Sequence, residues 1–180
     1  DSNLIAPIVK KLAERASVEV ALNFDHGQET GLLKKALTDG YTSVMVDASR
    51  YDLEGNIKMT REIVKFAEAF DASVEGEIGC MGASEGDQYT DDDMKTDPEE
   101  ALKFARETGV DALAISFGSS HGNYPEGYVP EFDFEILKKT KEKTHMPLVL
   151  HGGSGSGDEN IKKCVKYGIN KINVGCDFMN

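Results

Sequence analysis

Four histidines occur in the chain, and three of them, His26, His121 and His151, directly follow short apolar runs that read as β-strands; His145 precedes one. Three imidazoles gathered at strand ends, with a fourth coordination position open, make a catalytic zinc arrangement. For any one of them, an isolated surface or core histidine is the alternative reading. Carboxylates sit in similar places: Asp25 beside His26, Asp47, Glu75 and Glu77 at strand ends, and Glu85 in a long polar loop. General acid–base chemistry needs such groups within hydrogen-bond reach of the reacting atom. Each could instead cap a helix or hold backbone, and Glu75 is read that way, as turned away from Glu77. The run Asp91-Asp92-Asp93 is read as solvated loop surface.

The segment His151-Gly152-Gly153-Ser154-Gly155-Ser156-Gly157-Asp158 leads into a helix. Glycine-exposed N–H groups at such a place suit a phosphate. A Gly/Ser run is often just a turn, but this one stands next to a candidate metal ligand. Lysine is the other device for aldol chemistry, through a Schiff base. The lysines fall on helices or where strands begin, as Lys171 does, and none is read at a strand C-terminus.

Elements must carry these residues to one place. Short β-branched runs at 18–24, 43–46, 73–78, 112–117, 148–150 and 171–174 alternate with helical stretches at 4–15, 30–38, 56–70, 98–108, 133–143 and 159–167. Thr96-Asp97-Pro98-Glu99 resembles a capping box with proline just inside the helix, and Gly40, Gly109 and Gly168 sit where left-handed C-caps belong. Strand–helix alternation calls for a parallel sheet with right-handed crossovers. An open doubly wound sheet and a (β/α)8 barrel both fit six strands. Polar residues follow nearly every strand, which favours the barrel, where all C-terminal strand ends converge. The expectation is one domain over 1–180, a (β/α)8 TIM barrel with about six of its eight strands, truncated at both ends. Loop 79–95 is read as an active-site lid.

A formal charge of −12 argues against nucleic acid or an anionic membrane as partner. No apolar run approaches the about 20 residues of a membrane span. Three cysteines, Cys80, Cys164 and Cys176, without paired spacing read as reduced thiols of a cytoplasmic protein.

The segments Ala21–Gly27, Thr42–Asp47, Val74–Gly79, Gly118–Gly122, Pro147–Gly155 and Lys171–Val174 resemble, in order, the class II (zinc-dependent) fructose- and tagatose-bisphosphate aldolases. The resemblance implies a lyase that cleaves a ketose 1,6-bisphosphate, fructose above all, reversibly to dihydroxyacetone phosphate and glyceraldehyde 3-phosphate through a zinc-stabilised enediolate. It implies His26, His121 and His151 as zinc ligands, and Glu77 and Asp47 at a neighbouring metal or supporting position. Asp25 would be the acid–base group at the C4 oxygen, and Glu85 would exchange the C3 proton. Gly122, Gly152, Gly153, Ser154 and Asn173 would hold a phosphate, helped by a monovalent cation, Na+ or K+. A dimer or tetramer is the family expectation.

Two departures bear on substrate. Gly175-Cys176 stands where the family has Asp-Thr or Ala-Thr, and Asn23-Phe24 replaces a commoner His-Leu. The alternatives are an aldolase for tagatose bisphosphate or another phosphorylated ketose, a metal-dependent barrel hydrolase, and a non-catalytic binder of sugar phosphates. The six-strand segment would expose two sheet edges and is expected not to fold alone.

Overall fold

The computed structural model describes residues 1–79, 95–122, 124–125 and 127–179. They fall into two compact units, Asp1–Glu77 with Glu107–Asp111, and Ile78–Arg106 with Ala112–Asn180.

The first unit runs α1 (Ser2–Ala13), β1 (Asn23–Gly27), α2 (Thr30–Asp39), β2 (Ser43–Val46), α3 (Leu53–Ala67), a 3-10 turn (Glu68–Phe70) and β3 (Ser73–Ile78), with Ile78 assigned to the second unit. β2 pairs in parallel with β1 on one side and β3 on the other. Parallel neighbours need a crossover, which α2 and α3 supply. α2 stops at Gly40, whose φ of +98° lets its N–H turn back to Ala36 and Leu37. Leu33, Leu37, Val44, Met45, Ile57 and Ile63 are buried to 2% exposure or less, and each contributes about 1.5–3 kcal/mol through burial.

The second unit holds α4 (Pro98–Thr108, its last two residues assigned to the first unit), β4 (Ala112–Ile115), α5 (Phe134–Thr144), β5 (Leu148–Leu150), α6 (Asp158–Tyr167), β6 (Ile169–Ile172) and α7 (Cys176–Met179). β5 lies parallel between β4 and β6. Phe104, Leu113, Ile115, Phe117, Leu137, Leu148 and Leu150 form its buried core.

Strands 43–46, 73–78 and 148–150 and helix 98–108 stand where the sequence places them. β1 instead begins at Asn23, because β2 offers its first ladder partner only at Ser43. Val18, 71% exposed, precedes the sheet. β6 is earlier than read, since Leu148 pairs with Ile169, and Lys171 is therefore inside the strand rather than at its start. The N-cap of α4 is Asp97, whose Oδ1 accepts from the N–H of Glu99 (2.7 Å) and Glu100 (3.3 Å). Thr96 is buried and does other work. Its hydroxyl donates to the Ile78 carbonyl at 2.7 Å and accepts from the Ser116 N–H at 2.8 Å. No helix among the described residues is long and apolar enough to cross a membrane.

Replacing Thr96 by Val keeps the shape and removes both bonds, leaving the Ile78 carbonyl and the Ser116 N–H without this partner. A loss of about 2–3 kcal/mol is expected, read from urea midpoints, with Thr96→Ser close to wild type.

Candidate active site

β1 loses its regular ladder where the chemistry begins. Phe24 pairs with Val44 and Gly27 with Val46, so β1 carries one extra residue in that interval. Such a bulge re-aims side chains. His26 lies in it with φ +48°, a conformation uncommon for a residue with a side chain. Gly27 follows because a Cβ there would stand 2.2 Å from Leu33 Cδ2 and 3.1 Å from the Met45 carbonyl. Asp25 is exposed and His26 half-buried.

The re-aimed imidazole meets the carboxylate that follows β2. His26 Nδ1 lies 3.0 Å from Asp47 Oδ2 and 4.0 Å from Glu77 Oε2. Asp47 also accepts from the Ser49 hydroxyl at 2.8 Å and the Gln28 amide at 3.3 Å. The hydrogen bond to His26, followed by those from Ser49 and Gln28, outweighs burial and holds the Asp47 carboxyl well below the usual carboxylate range. Burial lowers the His26 pKa, but the bond to Asp47 and the charges of Glu77, Asp25 and Asp47 prevail and raise it.

Glu77 is 3% exposed, and its Oε2 is buried without a hydrogen-bond partner. Burial above all, then the Asp47 charge, pushes its pKa up to about 8. A buried carboxylate oxygen with nothing to accept from is costly. His26, Asp47 and Glu77 each offer one ligand atom, all within 4.8 Å of one another. The donor set of one imidazole and two carboxylates, with an orphaned oxygen among them, fits a divalent cation. Glu75 is not turned away from Glu77, contrary to the expectation from sequence. Residues two apart on a strand share a face; Glu75 is as buried as Glu77, and its charge helps raise the Glu77 pKa.

The second unit places two more of the candidate ligands together. His121 Nε2 lies 3.4 Å from His151 Nδ1, with the rings edge to face at 5.5 Å. His151 is buried, and the amide nitrogen of Asn173 stands 3.2 Å from its Nε2 and 3.3 Å from its Nδ1. Gly152, at φ +65°, has no room for a Cβ, which would fall 2.2 Å from the Ser120 carbonyl. Gly122 also has positive φ, at +101°. The Gly153 N–H donates to the Asn173 carbonyl at 3.0 Å, locking the loop against the end of β6. Ser154 Oγ accepts from the N–H of Gly175 (3.1 Å) and Asp177 (3.3 Å). Beside it opens a cavity of about 330 Å³ bounded by Tyr124, Tyr128, Ser154, Gly155 and Asp177. A Cβ at Gly175 would meet nothing within 4 Å, so space does not dictate glycine there. Glu85 lies outside the described residues.

One residue of this neighbourhood escapes the sequence reading, which takes Asn56 as the start of a helix. α3 begins three residues earlier, on Asp52, whose side chain accepts from the Gly55 N–H at 2.9 Å. Asn56 is therefore inside the helix, and its amide donates to the Glu77 carbonyl at 2.8 Å. The available signal is a pair of polar residues, Asn56 and Thr60, on the apolar face that also carries Ile63 and Ala67.

In the first unit, the bulged parallel sheet thus holds one imidazole and two carboxylates that could take a metal ion. The chain belongs to the class-II fructose-bisphosphate aldolase family, whose model matches residues 1–180. It is 38% identical over 175 residues to a fructose-bisphosphate aldolase of Geobacillus stearothermophilus, covering 96% of this chain and 60% of that protein. It is 42% identical over 163 residues to a 6-phospho-5-dehydro-2-deoxy-D-gluconate aldolase of Shouchella clausii, covering 91% and 55%. The crystal structure of the YdjI aldolase from Escherichia coli K12 matches with a TM-score of 0.83 at 33% identity, over 98% of this chain and 61% of that one. The chain thus spans less than two thirds of the length of these relatives.

The Glu77 shift fixes a pH dependence for the metal-free protein. Its folded pKa is raised from 4.5 to about 8, so its contribution to stability is full below the unfolded value and is lost as pH rises through 8. Glu77→Gln, which mimics the protonated acid, should match wild type near pH 5 and unfold at higher urea near pH 9. The difference should be on the order of 4 kcal/mol. Equal midpoints at both pH values would contradict it.

Proposed function

We propose that this chain supplies most of the catalytic barrel of a zinc-dependent aldolase that cleaves a ketose 1,6-bisphosphate reversibly to dihydroxyacetone phosphate and glyceraldehyde 3-phosphate. The observation that carries the reading is the orphaned, buried oxygen of Glu77 beside Asp47 and His26. Such a site has a use for a divalent cation, and the chain's family is one of aldolases.

His26, His121 and His151 are the proposed zinc ligands, on the strength of their places near the C-terminal end of β1 and after β4 and β5, and of the family. Zinc, when bound, supplies a Lewis acid that draws electron density from the substrate's ketone oxygen. The chain's own residues do the rest. Asp47 accepts from His26 Nδ1, which fixes the tautomer whose lone pair is on Nε2, the form that ligates a metal. Asp25, exposed on β1, takes and returns the proton of the C4 hydroxyl. Glu85 exchanges the C3 proton. Gly122, Gly152 and Ser154 hold a phosphate, Gly153 and Asn173 shape the loop, and a monovalent cation completes it. The enzyme is read as a cytoplasmic homo-oligomer, a dimer or tetramer.

Fructose is the first substrate by family name. A second reading is an aldolase for another phosphorylated ketose, favoured by the Shouchella clausii relative and by the open space at Gly175.

The test is aldol cleavage by the full-length protein of fructose and tagatose 1,6-bisphosphates and of the phosphorylated dehydrodeoxygluconate. Each is assayed before EDTA, after it, and after zinc is restored. Cleavage should vanish with chelation and return with zinc, and the ratio of rates names the substrate. Asp25→Asn should lower kcat by about 10²–10⁴-fold. Zinc-loaded protein that cleaves none of the three would overturn the reading.

A further inference from the structure

We infer that Asn56 is a positioning residue for the metal-side carboxylate of Glu77, and that Thr60 sets the direction in which Asn56 acts; this rests on the reading of Glu77 above. The β2–β3 ladder ends with Val46 opposite Gly76, so the peptide of Glu77 lies just beyond the last paired residue. Its carbonyl is taken up by α3, where Asn56 Nδ2 donates to it at 2.8 Å. Asn56 Oδ1 in turn accepts from the Thr60 hydroxyl at 3.1 Å. The two bonds agree on which end of the amide faces the strand, since only the nitrogen end donates.

Both side chains are buried, Asn56 at 4% and Thr60 at 0% exposure, on a helix face otherwise lined by Ile57, Ile63 and Ala67. Buried polar side chains stabilise little unless matched, and an unmatched one costs about 1–3 kcal/mol. The face carries two of them, and the peptide they hold belongs to the residue with the orphaned carboxylate oxygen. Residues that orient a metal ligand without touching the ion are worth about 10–100-fold in metal affinity.

The test is cobalt(II) titration of the metal-free full-length protein, followed by its visible absorption, with circular dichroism to establish folding. Asn56→Ala should weaken cobalt binding about 10–100-fold. Thr60→Val, which keeps the volume and lets the amide turn, should weaken it less, and Thr60→Ser should restore it. In a Glu77→Gln background, Asn56→Ala should cost nothing further, because residues acting through one another do not add. The inference is overturned if folded Asn56→Ala binds cobalt like wild type, or if it loses as much in the Glu77→Gln background as in the wild-type one. Cobalt affinity unchanged by Glu77→Gln alone would remove Glu77 from the metal site and the inference with it. The predicted cobalt pattern in a protein that cleaves no ketose phosphate would uphold the inference and overturn only the aldolase reading.

Discussion

Two carboxylates on neighbouring parallel strands, Asp47 just after β2 and Glu77 near the end of β3, cannot both be ionised in a buried place without a cation to answer them. The first unit separates them. Asp47 receives the His26 bond and two further donors and stays ionised, whereas Glu77 receives no hydrogen bond at Oε2 and takes the raised pKa. The local environment is thus arranged for a positive charge close to Glu77. A bound divalent cation would favour the ionised form of both acids, reversing the shift at Glu77 and reinforcing that at Asp47. Much else in the unit follows from that need. The bulge turns His26 toward Asp47, Gly27 admits Leu33 against the bulge, and α3 reaches the end of β3 through Asn56.

The two units use glycine for different ends. At Gly27 the demand is for space under a side chain, and at Gly152 it is for space against backbone, since the Ser120 carbonyl would meet any Cβ. Backbone yields less readily than a side chain, so a substitution at Gly152 strains the turn between His151 and Ser154 whatever replaces it, and its positive φ adds to that strain. The N–H of Gly153, which the glycine-rich pattern offers to a phosphate, donates instead to Asn173. The loop is therefore stiffened by the same residue whose amide stands against the His151 ring. Orientation of His151 and placement of the loop are one structural event.

The legible parts of the sequence are those governed by local rules. Strands 43–46 and 148–150 are short, almost wholly apolar and buried along their length, a pattern of covered strands, whereas 73–78 is recognised from Val74 and Ile78 despite the carboxylates of Glu75 and Glu77 between them. Of the candidate residues read at strand ends, the first unit brings His26 together with Asp47 and Glu77, and the second brings His121 together with His151. What is not legible depends on partners. Val18 and Val20 have the residue types of a strand but lie before the first residue that β2 can pair. Thr96 has the type of an N-cap, yet the cap is Asp97, because the Thr96 hydroxyl is needed by Ser116 and Ile78. The sharing of a face by Glu75 and Glu77 follows from the two-residue period and is available from the sequence.

The His26 ring links the questions of binding and catalysis. Its Nδ1 can donate to Asp47, as at the observed 3.0 Å, or it can give its lone pair to a cation shared with Asp47 and Glu77, but one nitrogen cannot do both at once. In the first state the lone pair is on Nε2 and Asp47 acts as the orienting acceptor that holds the tautomer. In the second, Asp47 becomes a ligand in its own right and the cation's charge opposes the burial that raises the Glu77 pKa. The two states differ by a bound cation and by the proton on Nδ1, at a residue that the bulge already holds in a left-handed conformation. A strained residue persists where its surroundings over-determine it, and here these are Asp47 on one side and the Gly27–Leu33 packing on the other. Within the first unit, the choice between orienting and ligating roles for Asp47 therefore rests on the protonation of His26 Nδ1.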